Sequence, residues 1–541
     1  MLPIVFLAAL AAGAQPAAEA DLLVVNARIY ATARAKPVSA MAVKDGRVVA
    51  LGDAALRHAG PSTKRLDLAG AAVFPSFIDS HAHMRGLGAL LESRDLRNVK
   101  SVAEIAAYVK ERAAAAPKGE WIVARNWDQT NWGGAFPSAK DLDSAAPDHP
   151  VFLSRVDGHA AWVNSLALKL AGIDDWTPDP PGGKIIRDAQ GRATGVLIDR
   201  AMGLVRDKMP PPSHAQIKRQ LELAARECAR LGLAGVHDAG VSAEDLRAYR
   251  ELLAEGRLPI RIYAMIGGAG PLWREYLRKG PEIGPFLTVR AIKLYADGAL
   301  GSRGAALWQP YSDDKQNTGL LITPKEEIEK VAREAVQHGF QVCTHAIGDR
   351  ANRIVLDAYA AALGGANDRR FRIEHAQVVS LPDFRLFREY SVIPAIQAAH
   401  ATSDMRWAEA RLGPDRVAGA YAWKRFLALG IPVPNGSDFP VEEPNPFFGF
   451  HASITRQDRE GNPPGGWMPD QKMSREEALE SWTIHAAYAA FEEKVRGTLE
   501  PGKYADFIVL DRDLLTIPPK EILQARVRMH YIGGRLASGG Q

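Results

Sequence analysis

Val73-Phe74-Pro75-Ser76-Phe77-Ile78-Asp79-Ser80-His81-Ala82-His83 is an apolar, strand-like run that ends in two histidines one residue apart. Along a strand, residues i and i+2 point to the same side. Where this strand runs out, His81 and His83 therefore present two imidazoles toward one point. Imidazole is the commonest side-chain ligand for borderline divalent metals. A polar turn could carry the same two histidines, so the rest of the chain has to decide between a metal site and a turn.

Outward from this run, apolar strand-like segments alternate with helix-like ones, the pattern of a parallel α/β fold. After Val73–Asp79, strands are expected at Ala234–His237, Ile260–Met265, Val289–Tyr295, Phe340–His345, Arg372–Glu374, Val392–Ile396 and Ile431–Asn435. That makes eight, the number that closes a TIM (β/α)8 barrel. Helices are expected at Ile217–Leu231, Glu326–Gln337, Ala351–Leu363 and Ser474–Tyr488. The first two strands are separated by about 150 residues, too many for a loop without structure of its own. Strand signals at Trp121–Ala124 and Val151–Val156, and a hairpin Gly183–Ile186/Thr194–Ile198, fill the interval. It reads as a cap domain of about residues 95–225, inserted after the first strand and lying over the barrel mouth. Trp121, Trp127, Trp132, Trp162 and Trp176 belong to it. Packing is the expected role for most of them, with one or two left to line a substrate pocket.

The two ends of the chain complement each other. Met41-Ala42-Val43-Lys44, Asp45-Gly46 and Arg47–Leu51 form a hairpin signal. Near the other end, Phe507–Asp511 is a matching piece, and Val527–Tyr531, Gly533-Gly534 and Arg535-Leu536 read as a last hairpin. Neither end has enough sheet to stand alone. Residues 21–72 and 497–541 are therefore expected to pair into one small β-sandwich, with the barrel, 73–496, inserted between them. Ahead of it, Leu2 to Ala12 is apolar and is followed by the small-x-small patterns Ala12-Gly13-Ala14 and Ala18-Glu19-Ala20. Residues 1–20 read as a signal peptide, although no Lys or Arg precedes the apolar run. Export to the periplasm or beyond the cell is the expectation.

Composition narrows the function classes. The 541 residues are 47% hydrophobic and 24% charged, with a formal charge of +4, which gives no case for a nucleic-acid partner. No later run is apolar and long enough to span a membrane. The two cysteines, Cys228 and Cys343, are too few for a cysteine-based zinc site, and Cys343 sits in an apolar run that favours a buried thiol.

Chemistry in such barrels sits at the C-terminal ends of the strands. The first strand ends in His81 and His83, the fourth carries Lys293, the fifth ends in His345, the sixth in His375 and the eighth in Asp438. Any one of these could be a core residue; all of them at strand ends, in this order, point to a site. This order resembles that of the amidohydrolase superfamily of metal-dependent hydrolases. The segments Val156-Asp157-Gly158-His159, Asp297-Gly298-Ala299-Leu300-Gly301-Ser302-Arg303, His400-Ala401-Thr402-Ser403-Asp404-Met405, Gly436-Ser437-Asp438-Phe439-Pro440-Val441-Glu442 and Leu499-Glu500-Pro501-Gly502 are similar to those of amidohydrolase family 3, the branch typified by N-substituted formamide deformylase. The similarity runs over nearly the whole chain after the leader.

The resemblance implies a divalent-metal site, zinc by default, with Mn, Fe or Co also fitting. His81, His83 and Asp438 would hold one ion, and His345 and His375 a second. An ammonium has no lone pair for a metal. In the family, a lysine at the position of Lys293 reacts with CO₂, and the carbamate bridges two metals; without it the site would hold one. The alternative for Lys293 is a structural ion pair, for instance with Asp297. Metal-activated hydroxide would attack a carbonyl, with Asp438 as general base and then acid. His159, His237 and His400 are candidates to stabilise the oxyanion, each with orienting a metal ligand or packing as the alternative; Arg303 could bind a substrate carboxylate or order its own loop. The expected reaction is hydrolysis of a C–N bond in an N-acyl or N-formyl small molecule. Esters, lactones or carbamates would suit the same chemistry. A non-catalytic binding scaffold would be expected to lack some of these ligands, and a homo-oligomer is compatible with the family.

Overall fold

The computed structural model describes residues 18–94, 96, 99–155, 160–180, 183–301 and 303–539. Most of the expected leader and all of Val156–His159 lie outside the described residues. The chain divides into two compact units, residues 85–224 and the remainder.

The larger unit contains a TIM-type barrel. Its strands are β1 (Phe77–Ala82), β2 (Leu233–Val241), β3 (Arg261–Gly267), β4 (Leu287–Tyr295), β5 (Gln341–Ala346), β6 (Arg372–His375) and β7 (Ile393–Ala395). They pair in parallel, each with the next in chain order. The expected run Val73–Asp79 is split in two at Ser76. Its first half, Ala72–Pro75, belongs to a different sheet, and β1 begins only at Phe77.

The eighth strand, expected at Ile431–Asn435, is not a regular strand. Pro432 and Pro434 have no N–H to give to a ladder. The segment nonetheless closes the barrel through single bonds. On the β7 side, Ile396 N donates to Pro434 O at 3.0 Å, and Gly436 N donates to Ile396 O at 2.9 Å. On the β1 side, Ser80 N donates to Asn435 O at 3.0 Å, Asp438 N to His81 O at 2.8 Å, and His83 N to Phe439 O at 2.8 Å. The expected helix Ser474–Tyr488 is also broken, at Thr483, into Arg475–Trp482 and Ile484–Ala489.

The two chain ends form a β-sandwich. One sheet runs Arg47–Leu51, Met41–Lys44, Leu22–Val25, Lys64–Asp67; the other runs Arg28–Ile29, Ala72–Pro75, Phe507–Leu510, Val527–Ile532, Arg535–Gly539. Leu22, Val24, Met41, Val43, Val73, Phe507 and Val509 are buried in one common core. Leu23 and Val25 point the other way, into a smaller cluster with Ala42, Ala50 and Ala55. That two-sided burial is why Leu22-Leu23-Val24-Val25 is apolar throughout. The Asp45-Gly46 turn has both residues at positive φ, 49° and 75°, as a two-residue hairpin of this type requires.

The smaller unit has its own five-stranded sheet, ordered Gly183–Arg187, Ala193–Asp199, Ala160–Val163, Val151–Arg155, Ile122–Trp127. Trp127 and Trp162 are fully buried and meet edge to face at 6.1 Å, whereas Trp176 is 90% exposed and packs into no core. Cys228 and Cys343 are buried free thiols. Among the described residues no helix is long and apolar enough to cross a membrane.

Candidate metal centre

The centre lies at the C-terminal ends of the barrel strands, all within the larger unit. Asp79, fully buried on β1, ties the barrel's seam together. It accepts from His81 N and Ser437 N at 3.1 Å each and from Ser437 Oγ at 2.6 Å. Those bonds hold the Asn435–Asp438 segment against β1. Gly436 permits the approach, since a Cβ there would lie 2.6 Å from His81 N. Two of the site's residues, His375 and Asp438, sit at positive φ, 75° and 59°. Such conformations cost on the order of 1–3 kcal/mol each and persist where surrounding bonds over-determine them.

The histidines are oriented from behind. His83 Nδ1 lies 2.9 Å from Ala239 O, and His375 Nδ1 lies 2.6 Å from Gln397 Oε1. His81 Nδ1 is hydrogen-bonded to Glu374. With each Nδ1–H donated to an oxygen, each Nε2 lone pair faces the centre, the arrangement that metal-ligating histidines use. Asp438 stands among those nitrogens. Its Oδ1 is 3.2 Å from His83 Nε2 and 3.6 Å from His81 Nε2, and its Oδ2 is 3.7 Å from His400 Nε2. Two groups of ligand atoms result, His81/His83/Asp438 and His375/His400/Asp438, with Asp438 common to both. His345 stands beside the second group, its ring 4.5 Å from that of His375, and its Nε2 is 3.5 Å from Asp297 Oδ1.

The residues fit a divalent metal. Nε2 of His81, His345 and His400 and Oδ1 of Asp438 are buried without a hydrogen bond among the described residues. Buried polar atoms are rarely left so, and those of His81, His400 and Asp438 belong to the two ligand groups that Asp438 joins. Their charge states suit the role. Burial, with the Lys293 cation, lowers His81 to about 4 and His345 to about 3, so both are neutral donors at neutral pH. Burial also presses His83 down, but Asp438 outweighs it and the net shift is upward. Burial opposes ionisation of Asp438, yet its contact with His83, the first of the causes that lower it, holds it well below the usual carboxylate range.

Lys293 is 1% exposed on β4. Burial lowers its pKa, against the pull of Glu374 and Asp438. Its Nζ lies 4.4 Å from the centroid of the Tyr295 ring and forms no ion pair among the described residues. Asp297, the alternative partner, accepts instead from the backbone N–H groups of Ile347, Gly348 and Ala306. Of the other sequence candidates, His237 is fully buried inside the barrel, its Nδ1 2.9 Å from Arg372 Nη1. Arg303 pairs with Asp313 in its own loop. His159 is outside the described residues.

Sequence reasoning missed Glu374, Arg372 and Gln397. Glu374 and Arg372 are both fully buried and form an ion pair: Nη2 donates to Oε2 at 2.9 Å, and Nε stands 2.8 Å from Oε1. The available signal was two charges at alternate positions of one strand, Arg372-Ile373-Glu374, which must share the barrel's inner side.

The model of the amidohydrolase family matches residues 64–537. The chain belongs to the amidohydrolase family. It is 34% identical to YtcJ of Bacillus subtilis over 489 residues, covering 89% of this chain and 91% of that one. It is 28% identical to the N-substituted formamide deformylase of Arthrobacter pascens over 543 residues, covering 95% and 98%. An uncharacterized metal-dependent hydrolase from Pyrococcus furiosus, known from its crystal structure, superposes with a TM-score of 0.77 at 32% identity, covering 92% of this chain and 100% of that one. The amidohydrolase assignment and the donor set agree: this is a metal-dependent hydrolase of amide-like bonds.

Proposed function

We propose that the protein hydrolyses the C–N bond of an N-acyl or N-formyl amine, with Asp438 as the proton carrier. The observation that supports this most is Asp438 itself: one carboxylate, held ionised, common to two sets of imidazole nitrogens. His81 and His83 would hold one divalent ion with Asp438, and His375 with His400 or His345 a second. Lys293, as a carbamate formed with CO₂, would add a carboxylate to this donor set; its burial and lowered pKa favour the free amine that such a reaction needs. Zinc is the metal we assign by default for this histidine and carboxylate set. When bound, the metal supplies Lewis acidity and makes water a nucleophile near neutral pH. Asp438 accepts the proton from the attacking water and passes it to the leaving nitrogen, so the amine departs neutral. The deformylase relative supports an N-substituted amide as the substrate class. We further propose export, for which the support is the apolar leader alone.

The test is metal content per chain together with turnover of a panel of aromatic and aliphatic N-acyl and N-formyl amines and their matching esters. Asp438→Asn is expected to abolish amide turnover while most of the metal stays bound. An Asn variant as active as the wild type refutes the mechanism.

A further inference from the structure

We infer that Tyr295 donates a hydrogen bond from its phenol to the carbonyl oxygen of the scissile amide. This rests on the hydrolytic reading of the centre and adds a group to it. Tyr295 is the last residue of β4, two positions after Lys293, so both side chains stand on the inner side of the strand. Lys293 is buried, while Tyr295 is 39% exposed at the mouth. The ring is pinned in place. Lys293 Nζ sits 4.4 Å from its centroid, and the His345 ring is 5.7 Å away. Its backbone is fixed as well: Tyr295 O accepts from Thr323 Oγ1 at 2.6 Å, and the next residue, Ala296, donates from N to His345 O at 2.8 Å.

What sets this tyrosine apart is that its ring lies against Lys293 and His345 of the centre while its hydroxyl is left open; the buried tyrosines of the barrel unit spend theirs on the protein. Tyr249 donates to Asp238, Tyr311 to Ala305 O, Tyr421 to Asp404, and Tyr263 to Gln341. The Tyr295 hydroxyl has no such acceptor among the described residues. It points across the barrel mouth toward the end of β2, where a Cβ built on Gly240 would lie 3.5 Å from it. Gly240 follows Ala239, whose carbonyl holds His83. The phenol thus stands at the barrel mouth with its O–H directed to the end of β2 that also supplies the His83 acceptor, and with Lys293 and His345 of the centre against its ring.

The other donors considered for the oxyanion are placed differently. His237 is inside the barrel with Arg372 on its Nδ1, and His400 belongs to a ligand group with Asp438. As water adds to the carbonyl carbon, charge collects on the oxygen, and the phenol's hydrogen bond to it strengthens. The phenol keeps its proton throughout, and the charge returns to the carbon–oxygen double bond as the amine leaves. Removing one such donor typically lowers kcat about 10²–10³-fold.

The experiment compares metal-loaded wild type, Tyr295→Phe and Asp438→Asn in the full chain. Substrate is the aromatic N-acyl amine that wild type turns over best, and the tetrahedral probe is the corresponding alkylphosphonate monobenzyl ester, titrated calorimetrically. For Tyr295→Phe, metal content should equal wild type, KM should stay within about threefold, kcat should fall about 10²–10³-fold, and phosphonate affinity should fall with it. Wild-type kcat and phosphonate affinity in the Phe variant, beside an inactive Asp438→Asn, would overturn the role of Tyr295 alone. A loss of metal in step with activity would also overturn it, by making the ring a packing element. Full activity in Asp438→Asn would instead overturn the hydrolytic reading, and the role of Tyr295 with it.

Discussion

Glu374→Gln separates two contributions that the centre draws from one carboxylate. The glutamine keeps the side chain's shape and an acceptor oxygen but loses the charge. In the wild type, burial would raise Glu374, yet Arg372, His81 and Lys293 hold it at about 2, so it is ionised at any working pH. Arg372 is fully buried, and Glu374 is the carboxylate to which it is paired. Breaking a buried pair from one side costs about 3–5 kcal/mol, because the remaining charge stays desolvated. Arg372 would keep its bonds to Ser80 O at 2.6 Å and to His237 Nδ1 at 2.9 Å. The lower end of that range, about 3 kcal/mol, is therefore expected. The second contribution is to the metal. Without a carboxylate on its Nδ1, His81 is a weaker and less well-oriented ligand, and affinity should fall about 10–100-fold.

Urea unfolding of the metal-free protein reads the first quantity, and chelator competition at fixed pH reads the second. Arg372→Met with Glu374→Leu then distinguishes them. Taking out both charges should recover most of the lost stability while leaving metal affinity low. If the single variant unfolds at the wild-type midpoint and binds metal as tightly, Glu374 supports neither Arg372 nor His81. If the double variant is less stable than the single one, the unpaired guanidinium is not the source of the loss.

Two further expectations lie away from the ligands' own titration. His530 is fully buried, its Nδ1 2.7 Å from Ala229 O and its Nε2 2.9 Å from Ser76 Oγ, and burial lowers it from 6.5 to about 4. Between those values the unfolded chain binds the proton and the folded one does not, so stability should fall as pH drops from 6.5 toward 4, by about 3 kcal/mol in all. Urea midpoints across that window, with His530→Gln losing this part of the slope, check the sign. Gly436→Ala would put a methyl 2.6 Å from His81 N and 2.7 Å from Asp79 Oδ1. It should destabilise the barrel by about 1–3 kcal/mol, the usual range for overpacking, and cut activity by shifting Asp438; unchanged melting and turnover would contradict that.

What the sequence made legible was whatever depends on near neighbours. His81 and His83 could be read as a pair because two residues on one strand share a side, and β2 to β6 could be read from their own apolar runs. The closing segment was harder. Ile431-Pro432-Val433-Pro434-Asn435 has the apolar content of a strand, but its prolines forbid a ladder, and what holds it is a set of bonds from Ser80, His83, Ile396 and Asp79, none of them local. The same distance hides Glu374. Its charge and its alternation with Arg372 are plain in the sequence, and together they place both side chains inside a barrel. That Glu374 also reaches His81, 293 positions away, follows only once β1 and β6 share that interior. Tyr295 is hidden in the sequence for a related reason. A tyrosine ending an apolar strand is ordinary until its ring is known to lie against Lys293 and His345 at the barrel mouth. Ligand order is written along a barrel sequence because the ligands stand at strand ends, and the strands follow one another around the barrel in chain order. The groups that orient those ligands, or meet the substrate beside them, are defined by what stands across the barrel.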